Sequence, residues 1–188
     1  MANVAAISRR RQTHDTNMSV YAAFIEGAGP LVVSAKGGAV TSPGMVAMAG
    51  QARADGIAAD TFEFDEYQGC LEVLRRMKAL GKKVAIVSYS AGVGTATLIS
   101  YFAKLDFLAA IDPSQDCINY RVNKDNVKKS VLWHNNNWLS KITGIGGAGE
   151  NPDLGFSERI EIDVNHLVAD LLPSIKQRVR QELLGLNQ

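Results

Sequence analysis

Short apolar runs alternate with longer segments of helical periodicity from Val20 to the end of the chain. Val84–Val87 is a continuous apolar run, which is typical of a strand buried on both faces of a sheet. Other short runs predict five further strands: Val20–Ile25, Thr61–Phe64, Phe107–Ile111, Ser130–His134 and Arg159–Val164.

Helices are predicted between and after these strands. One begins at Ser42-Pro43, where a cap residue precedes proline at the first helical position. Three others follow from apolar residues at helical spacing: Glu66–Leu80, Ala91–Lys104 and Leu167–Leu184. Pro173 inside the last of them indicates a kink or a restart. Strands that alternate with helices predict an α/β fold, with a mostly parallel sheet of about six strands and helices on both faces.

The composition limits the class of protein but does not indicate an activity. The chain has 188 residues, 46% of them hydrophobic and 21% charged, as expected for one globular domain. We interpret residues 1–18 as a flexible N-terminal arm and residues 19–188 as a single domain. The net charge of +1 gives no field that would attract nucleic acid.

The cysteines and the search for targeting segments bear on the compartment in which the protein is expected. Cys70 and Cys117 form no metal-binding motif or disulfide framework, so a reducing compartment is expected. No signal peptide or transmembrane segment is evident, and we therefore expect a cytoplasmic protein. The glycine-rich segment 144–149 has dinucleotide-binding spacing but lacks the strand and helix that such a site needs.

A sharp strand-to-helix turn is predicted at Ser88-Tyr89-Ser90-Ala91-Gly92. It follows the apolar run Val84–Val87 directly, so Ser90 lies at the carboxyl end of a buried strand. A nucleophile in such a turn needs small residues two positions before and after it, and Ser88 and Gly92 satisfy this. The sequence therefore predicts an exposed, reactive Ser90 hydroxyl with the Ala91 amide beside it.

This turn resembles the nucleophile elbow of the α/β-hydrolase superfamily, with Ser88 in place of the usual first glycine. The resemblance covers most of the chain after Val20. It implies a minimal, lidless serine esterase or lipase-like member, without the two strands that usually precede the one equivalent to Val20–Ile25. It also implies a catalytic histidine after the last strand and an oxyanion loop after the Val20–Ile25 strand.

His166 occupies the position that the resemblance assigns to the general base, after the last predicted strand. His134 also ends a strand and is the reserve candidate. For the acid, Asp112 ends the Phe107–Ile111 strand before a proline and resembles the Leu-Asp-Pro segment of pancreatic-type lipases. Asp153 is the second candidate, and Asp163 is set aside because it lies inside a strand.

These residues predict a carboxylic ester hydrolase that works through Ser90, His166 and Asp112 and an acyl-enzyme. The other site predictions fall into two groups. The oxyanion would be bound by the amides of Ala91 and of Ala28 or Gly29, and the substrate cleft would be lined by Tyr89, Trp133, His134 and Asn135. The substrate would be a small-molecule or lipid ester, and no metal or organic cofactor is implied. The alternative is a non-catalytic module of the same fold, used for binding or in an assembly.

Overall fold

Six strands form one parallel sheet, as the sequence predicted. The computed structural model describes residues 18–27, 42–117, 119–137 and 154–188. The strands are β1 (Val20–Glu26), β2 (Ala58–Glu63), β3 (Lys83–Tyr89), β4 (Phe107–Ile111), β5 (Ser130–Asn135) and β6 (Glu158–Ile162). Their order across the sheet is β2-β1-β3-β4-β5-β6.

The helices of the described residues that connect or follow these strands are four α-helices and two short 3-10 helices. They are α1 (Pro43–Ala54), α2 (Tyr67–Ala79), α3 (Gly92–Ile99), η1 (Gln115–Cys117), η2 (His166–Leu171) and α4 (Pro173–Leu186). The helix predicted over Ala91–Lys104 is shorter in the structure. It ends at Ile99, after which the Tyr101 and Phe102 amides donate to the carbonyls three residues before them, at 3.1 and 2.9 Å. The Ser100 hydroxyl donates to the Thr97 carbonyl at this end.

The long helix predicted at the end of the chain is divided in two. Leu172 has extended backbone angles of φ −57° and ψ 125°, and α4 begins at the next residue, Pro173. Proline disfavours the helical conformation of the residue before it, so a continuous helix cannot pass through Leu172. The preceding residues instead form η2, with His166 as its first residue.

Side chains of the strands alternate between two apolar layers. Tyr21, Ala23 and Ile25 of β1 pack with α2 and α3, whereas the residues between them pack with α1, η2 and α4. The sheet is thus covered on both faces, which explains why its central strands are mostly apolar. In the part of the chain that the structure describes, no helix is long and apolar enough to cross a membrane.

The strand order reverses at β1, because the chain runs from β1 to β2 on one side and then returns to β3 on the other. In open parallel sheets, ligands bind outside the carboxyl ends of the strands at such a reversal. Gly27 follows β1 and Ser90 follows β3 at this point. Ser90 therefore lies at the edge of the sheet where a ligand is expected to bind.

Candidate active site

Ser90 occupies a strained turn between β3 and α3. Its φ of 52° lies in the left-handed region, which costs a non-glycine residue about 1–3 kcal/mol and is typical of functional sites. The Ser90 amide donates to the Ile111 carbonyl at 3.1 Å, which holds the turn against β4. Space is also limited: a Cβ atom on Gly92 would lie 2.7 Å from the Ile25 carbonyl oxygen. Gly92 is therefore required by the packing of the turn.

Asp112 has the same kind of backbone strain at the end of β4. Its φ is 41°, and within the described residues Ser90 and Asp112 are the two non-glycine residues with positive φ. The Asp112 amide donates to the Trp133 carbonyl of β5 at 2.8 Å. This bond turns the chain so that the carboxylate lies over the carboxyl edge of the sheet.

His166 connects the serine to the aspartate. Its Nε2 lies 2.8 Å from Ser90 Oγ, and its Nδ1 lies 2.7 Å from Asp112 Oδ2. Ser90, His166 and Asp112 are 1%, 3% and 0% exposed, so water competes little for these bonds. The sequence predicted an exposed Ser90 hydroxyl, whereas in the structure Ser90 is buried. Three side chains from three separate segments thus form one continuous hydrogen-bonded chain.

Tyr89 supports His166 from the β3 side. The two rings are stacked with centroids 5.2 Å apart, and the Tyr89 hydroxyl donates to the His166 carbonyl. Burial raises the pKa of Tyr89 above its ordinary value, with smaller effects from Asp170 and Asp112, so the hydroxyl stays protonated and remains a donor. Tyr89 was predicted as a substrate contact, whereas the contacts described here are with His166.

Asn135 lies behind Asp112, at the end of β5. Its Nδ2 donates to Asp112 Oδ2 and to the Val164 carbonyl, both at 2.7 Å. Asn135 is 0% exposed, so it is placed to hold the acid rather than to line an open cleft. The sequence predicted Asn135 as a substrate contact, and the contacts described here are with Asp112 and Val164.

The other predicted cleft residues lie apart from the hydrogen-bonded chain. Trp133 is buried in the apolar layer formed with α1 and α4. His134 is partly buried and, as the next residue of β5, points to the opposite face of the sheet from Trp133. Asp163, which was set aside, is bonded to the side chain of Asn137 at 3.0 Å.

The N-terminus of α1 holds two further buried carboxylates that the sequence did not single out. Asp170 Oδ2 accepts from the Met45 amide at 3.2 Å, and Glu26 Oε2 accepts from the Ser42 amide at 3.1 Å. Burial raises the pKa of Asp170, and the amides of Met45 and Gly44 offset part of that increase. Because Asp170 belongs to η2, this contact ties the segment that carries His166 to α1.

Several predictions concern residues outside the described part of the chain. These are the arm over residues 1–17, the oxyanion residues Ala28 and Gly29, and the second candidate acid Asp153. Ala91, the other oxyanion candidate, precedes α3 directly. A Cβ atom on Gly27 would lie only 2.8 Å from the Ala91 nitrogen, so β1 ends against that amide.

Two grooves differ in their relation to this site. The larger, of about 410 Å³, lies between α1 and α4 near Asp55 and Arg180, at the opposite edge of the sheet from Ser90. The smaller, of about 230 Å³, begins at Ala91. Of these two, the smaller one adjoins the elbow. Within residues 18–27, 42–117, 119–137 and 154–188, no group of three or more His, Cys, Asp or Glu side chains is arranged to hold a metal ion.

Solved structures with the same fold include proteins that are described as a lipolytic enzyme, an esterase and a hydrolase. A metagenome-derived lipolytic enzyme (LipS or LipT) is 6% identical with a TM-score of 0.59, over 94% of this chain and 97% of that one. The Pyrococcus furiosus esterase Pf2001 is 11% identical with a TM-score of 0.55, over 91% and 84%. A protein of Xanthomonas campestris pv. campestris, described as a hydrolase of the alpha/beta superfamily, is 15% identical with a TM-score of 0.54, over 89% and 96%.

The fold is that of the α/β-hydrolase superfamily, as the sequence resemblance implied. At such low identity the comparison establishes the fold alone. No protein-family model matches the sequence. No curated protein matches it either. The activity must therefore be argued from the site itself.

Proposed function

We propose that the protein is a serine hydrolase that cleaves carboxylic esters, with Ser90 as nucleophile, His166 as general base and Asp112 as the acid that orients it. One observation carries the proposal: the unbroken hydrogen-bonded chain from Ser90 Oγ through the His166 ring to Asp112 Oδ2, with both links shorter than 3 Å. In this order, a nucleophile, a base and an orienting acid form the arrangement by which a Ser-His-Asp triad performs acyl transfer.

The reaction follows from these contacts. As Ser90 Oγ attacks the ester carbonyl, His166 Nε2 takes its proton and Asp112 stabilises the resulting imidazolium. The Ala91 amide, beside the start of α3, donates to the oxyanion that forms. His166 then gives the proton to the leaving alcohol, and water, deprotonated by the same nitrogen, hydrolyses the acyl-enzyme.

Fluorophosphonate labelling tests the proposal without knowledge of the substrate. The probe should modify Ser90 alone in the wild-type protein, as located by mass spectrometry of the digested protein. Ser90→Ala should abolish labelling. The matched control is Ser88→Ala, two residues away, which keeps a small residue in the elbow and loses only the 2.9 Å bond to the Ala109 carbonyl. That variant should still be labelled.

The two histidines give a second test. His166→Ala should lose most of the labelling and most of the hydrolysis of a short p-nitrophenyl ester, whereas His134→Ala should keep most of both. If a folded wild-type protein is not labelled at Ser90, the non-catalytic module becomes the better interpretation.

A further inference from the structure

A groove of about 230 Å³ begins at Ala91, the residue after the proposed nucleophile. Segments that follow β2, β3 and β4 line it, including Phe64, Ala91, Gly94, Leu98, Asp116 and Tyr120. Phe64, Leu98 and Tyr120 are 38%, 40% and 42% exposed, so large apolar side chains face solvent around a concave surface. Grouped apolar exposure of this kind marks a binding surface more often than chance packing does.

His166 and this groove lie on opposite sides of Ser90. His166 belongs to η2, which packs with α1 and α4 on one face of the sheet. Gly94 and Leu98 belong to α3, which packs on the other face. In the proposed reaction His166 protonates the leaving alcohol, so the alcohol must lie on the His166 side of the scissile bond. The acyl group then extends the other way, past Ala91.

We propose that the groove binds the acyl chain of the ester and prefers uncharged chains that are long enough to extend into it; this inference rests on the proposed function. Phe64, Leu98 and Tyr120 supply apolar surface that a longer acyl chain would cover and an acetyl group would not. The small side chains of Ala91 and Gly94 leave the groove open next to the elbow.

The selection against charge comes from Asp116. It is an exposed carboxylate on the groove wall, and the described lining residues include no lysine or arginine. An acyl chain that ends in a carboxylate would place two negative charges near each other without a cation between them. A chain that ends in a methyl group meets Phe64, Leu98 or Tyr120 without such a penalty.

A series of p-nitrophenyl esters from acetate to hexanoate tests the preference for longer chains. A fully buried methylene changes binding by about fourfold, and in an open groove we expect about twofold per methylene. Because hexanoate has four more methylenes than acetate, kcat/KM should rise by about 16-fold between them.

Gly94→Leu should fill the groove. A Cβ atom there makes only ordinary contacts, the nearest at 3.4 Å to Cys117 Sγ, so the backbone can stay in place while the longer side chain takes up the space. The hexanoate-to-acetate ratio should fall by at least about fivefold. The matched control is Gly50→Leu, on α1, where an added Cβ atom meets nothing within 4 Å. It should leave the ratio unchanged. Leu98→Trp offers a second way to fill the groove if Gly94→Leu unfolds.

The charge of Asp116 is tested with the half-ester of adipic acid, which has the length of hexanoate and a terminal carboxylate. Wild-type protein should hydrolyse it several-fold more slowly than hexanoate, and Asp116→Asn should reduce that difference, whereas Asp125→Asn should not. If Ser90 is labelled but Gly94→Leu and Leu98→Trp both keep the wild-type preference for longer chains, the inference is wrong and the proposed function stands. Absence of labelling would overturn the proposed function, and the inference with it.

Discussion

Asn135 donates a hydrogen bond to the same oxygen of Asp112 that receives the bond from His166, with both distances at 2.7 Å. A second bond from the same amide nitrogen reaches the Val164 carbonyl, in the segment just before His166. Asn135 therefore fixes the carboxylate and the approach to η2 together. Its amide restrains the proposed acid through a hydrogen bond and adds no charge beside it.

The first prediction concerns this amide. Asn135→Ala should lower kcat for a short ester by about 10–100-fold with a smaller change in KM, because a loosely held Asp112 positions the imidazole poorly. Removal of a buried hydrogen-bonding partner should also cost about 1–3 kcal/mol of unfolding free energy. Steady-state kinetics and urea unfolding measure the two effects separately. Asn119→Ala, in an exposed turn, is the control. Unchanged kcat in a folded Asn135→Ala protein would show that the contact has no role in positioning.

A second prediction concerns the close approach of β1 to the elbow. A Cβ atom on Gly27 would lie 2.4 Å from the Tyr89 carbonyl oxygen and 2.5 Å from Ser90 Cβ, so Gly27→Ala must displace the turn. We expect a loss of stability of about 1–3 kcal/mol, as for other overpacked sites, and a fall in kcat of at least about tenfold. Thermal unfolding and ester hydrolysis are the measurements.

Gly185→Ala is the matched control for that substitution. Nothing lies within 4 Å of an added Cβ atom at Gly185, and the residue is in α4. Alanine should there raise stability by about 0.5–1 kcal/mol because it favours the helix. Equal behaviour of the two variants would contradict the close contact at Gly27.

The sheet and the elbow could be predicted from the sequence because their signals are local. An apolar run such as Val84–Val87 has few alternatives to a buried strand, and the small residues around Ser90 follow from the steric needs of one turn. Asp112 was predicted within hydrogen-bond reach of His166 because parallel strands bring their carboxyl ends to one edge, and Nδ1 lies 2.7 Å from Oδ2.

The supporting contacts could not be predicted because they join segments that are distant in sequence. Asp170 and Met45 are 125 residues apart, and nothing near either residue indicates the other. Asn135 was assigned to the cleft because its strand ends at the right edge, but its neighbour depends on how β5 and the segment after β6 pack together. Pro173 indicated an interruption, whereas the 3-10 form of η2 depends on packing against α1.

The third prediction concerns the pH dependence of the free energy of unfolding and an ion-pair site remote from the proposed active site. Asp106 precedes β4 and pairs with Lys78 at 2.6 Å and Lys128 at 2.7 Å. Burial alone would raise its pKa, but the bonds from Lys128, Lys78 and the Val84 amide outweigh this and lower the pKa to about 2. A lowered pKa means that the ionised form stabilises the fold above about pH 4 and that this contribution is lost as pH falls toward 2.

Asp106→Asn should therefore cost about 1–2 kcal/mol of unfolding free energy at pH 7, after allowance for solvent screening around the two lysines. The difference from wild type should shrink as the pH falls from 4 toward 3. Urea unfolding at pH 7, 5, 4 and 3 measures it, with Asp125→Asn as an exposed control that should differ little at any pH. A difference that does not change with pH would contradict an ionic origin.

The last prediction concerns Asp170, which holds η2 against the N-terminus of α1. A Cβ atom on Gly44 would lie 2.2 Å from the Asp170 carbonyl oxygen, so the two segments are in direct contact as well as hydrogen-bonded. His166 lies four residues before Asp170, and a shift of η2 by about 1 Å can cost about 100-fold in rate. Asp170→Leu removes the acceptor and should lower kcat by about 10–100-fold while KM changes less. Asp170→Asn keeps an oxygen that can accept from the Met45 amide.

The asparagine variant separates positioning from charge. Because burial raises the pKa of Asp170, its ionised form is costly in the fold, and wild-type protein should gain stability as the pH falls below that raised pKa toward the ordinary value of 3.8. Asp170→Asn should remove this gain and still keep most of the wild-type kcat. Leu167→Ala, at an exposed residue of the same 3-10 helix, should change neither property. If Asn and Leu at position 170 reduce kcat equally, the carboxylate itself is needed; if neither reduces it, the contact between η2 and α1 does not position His166.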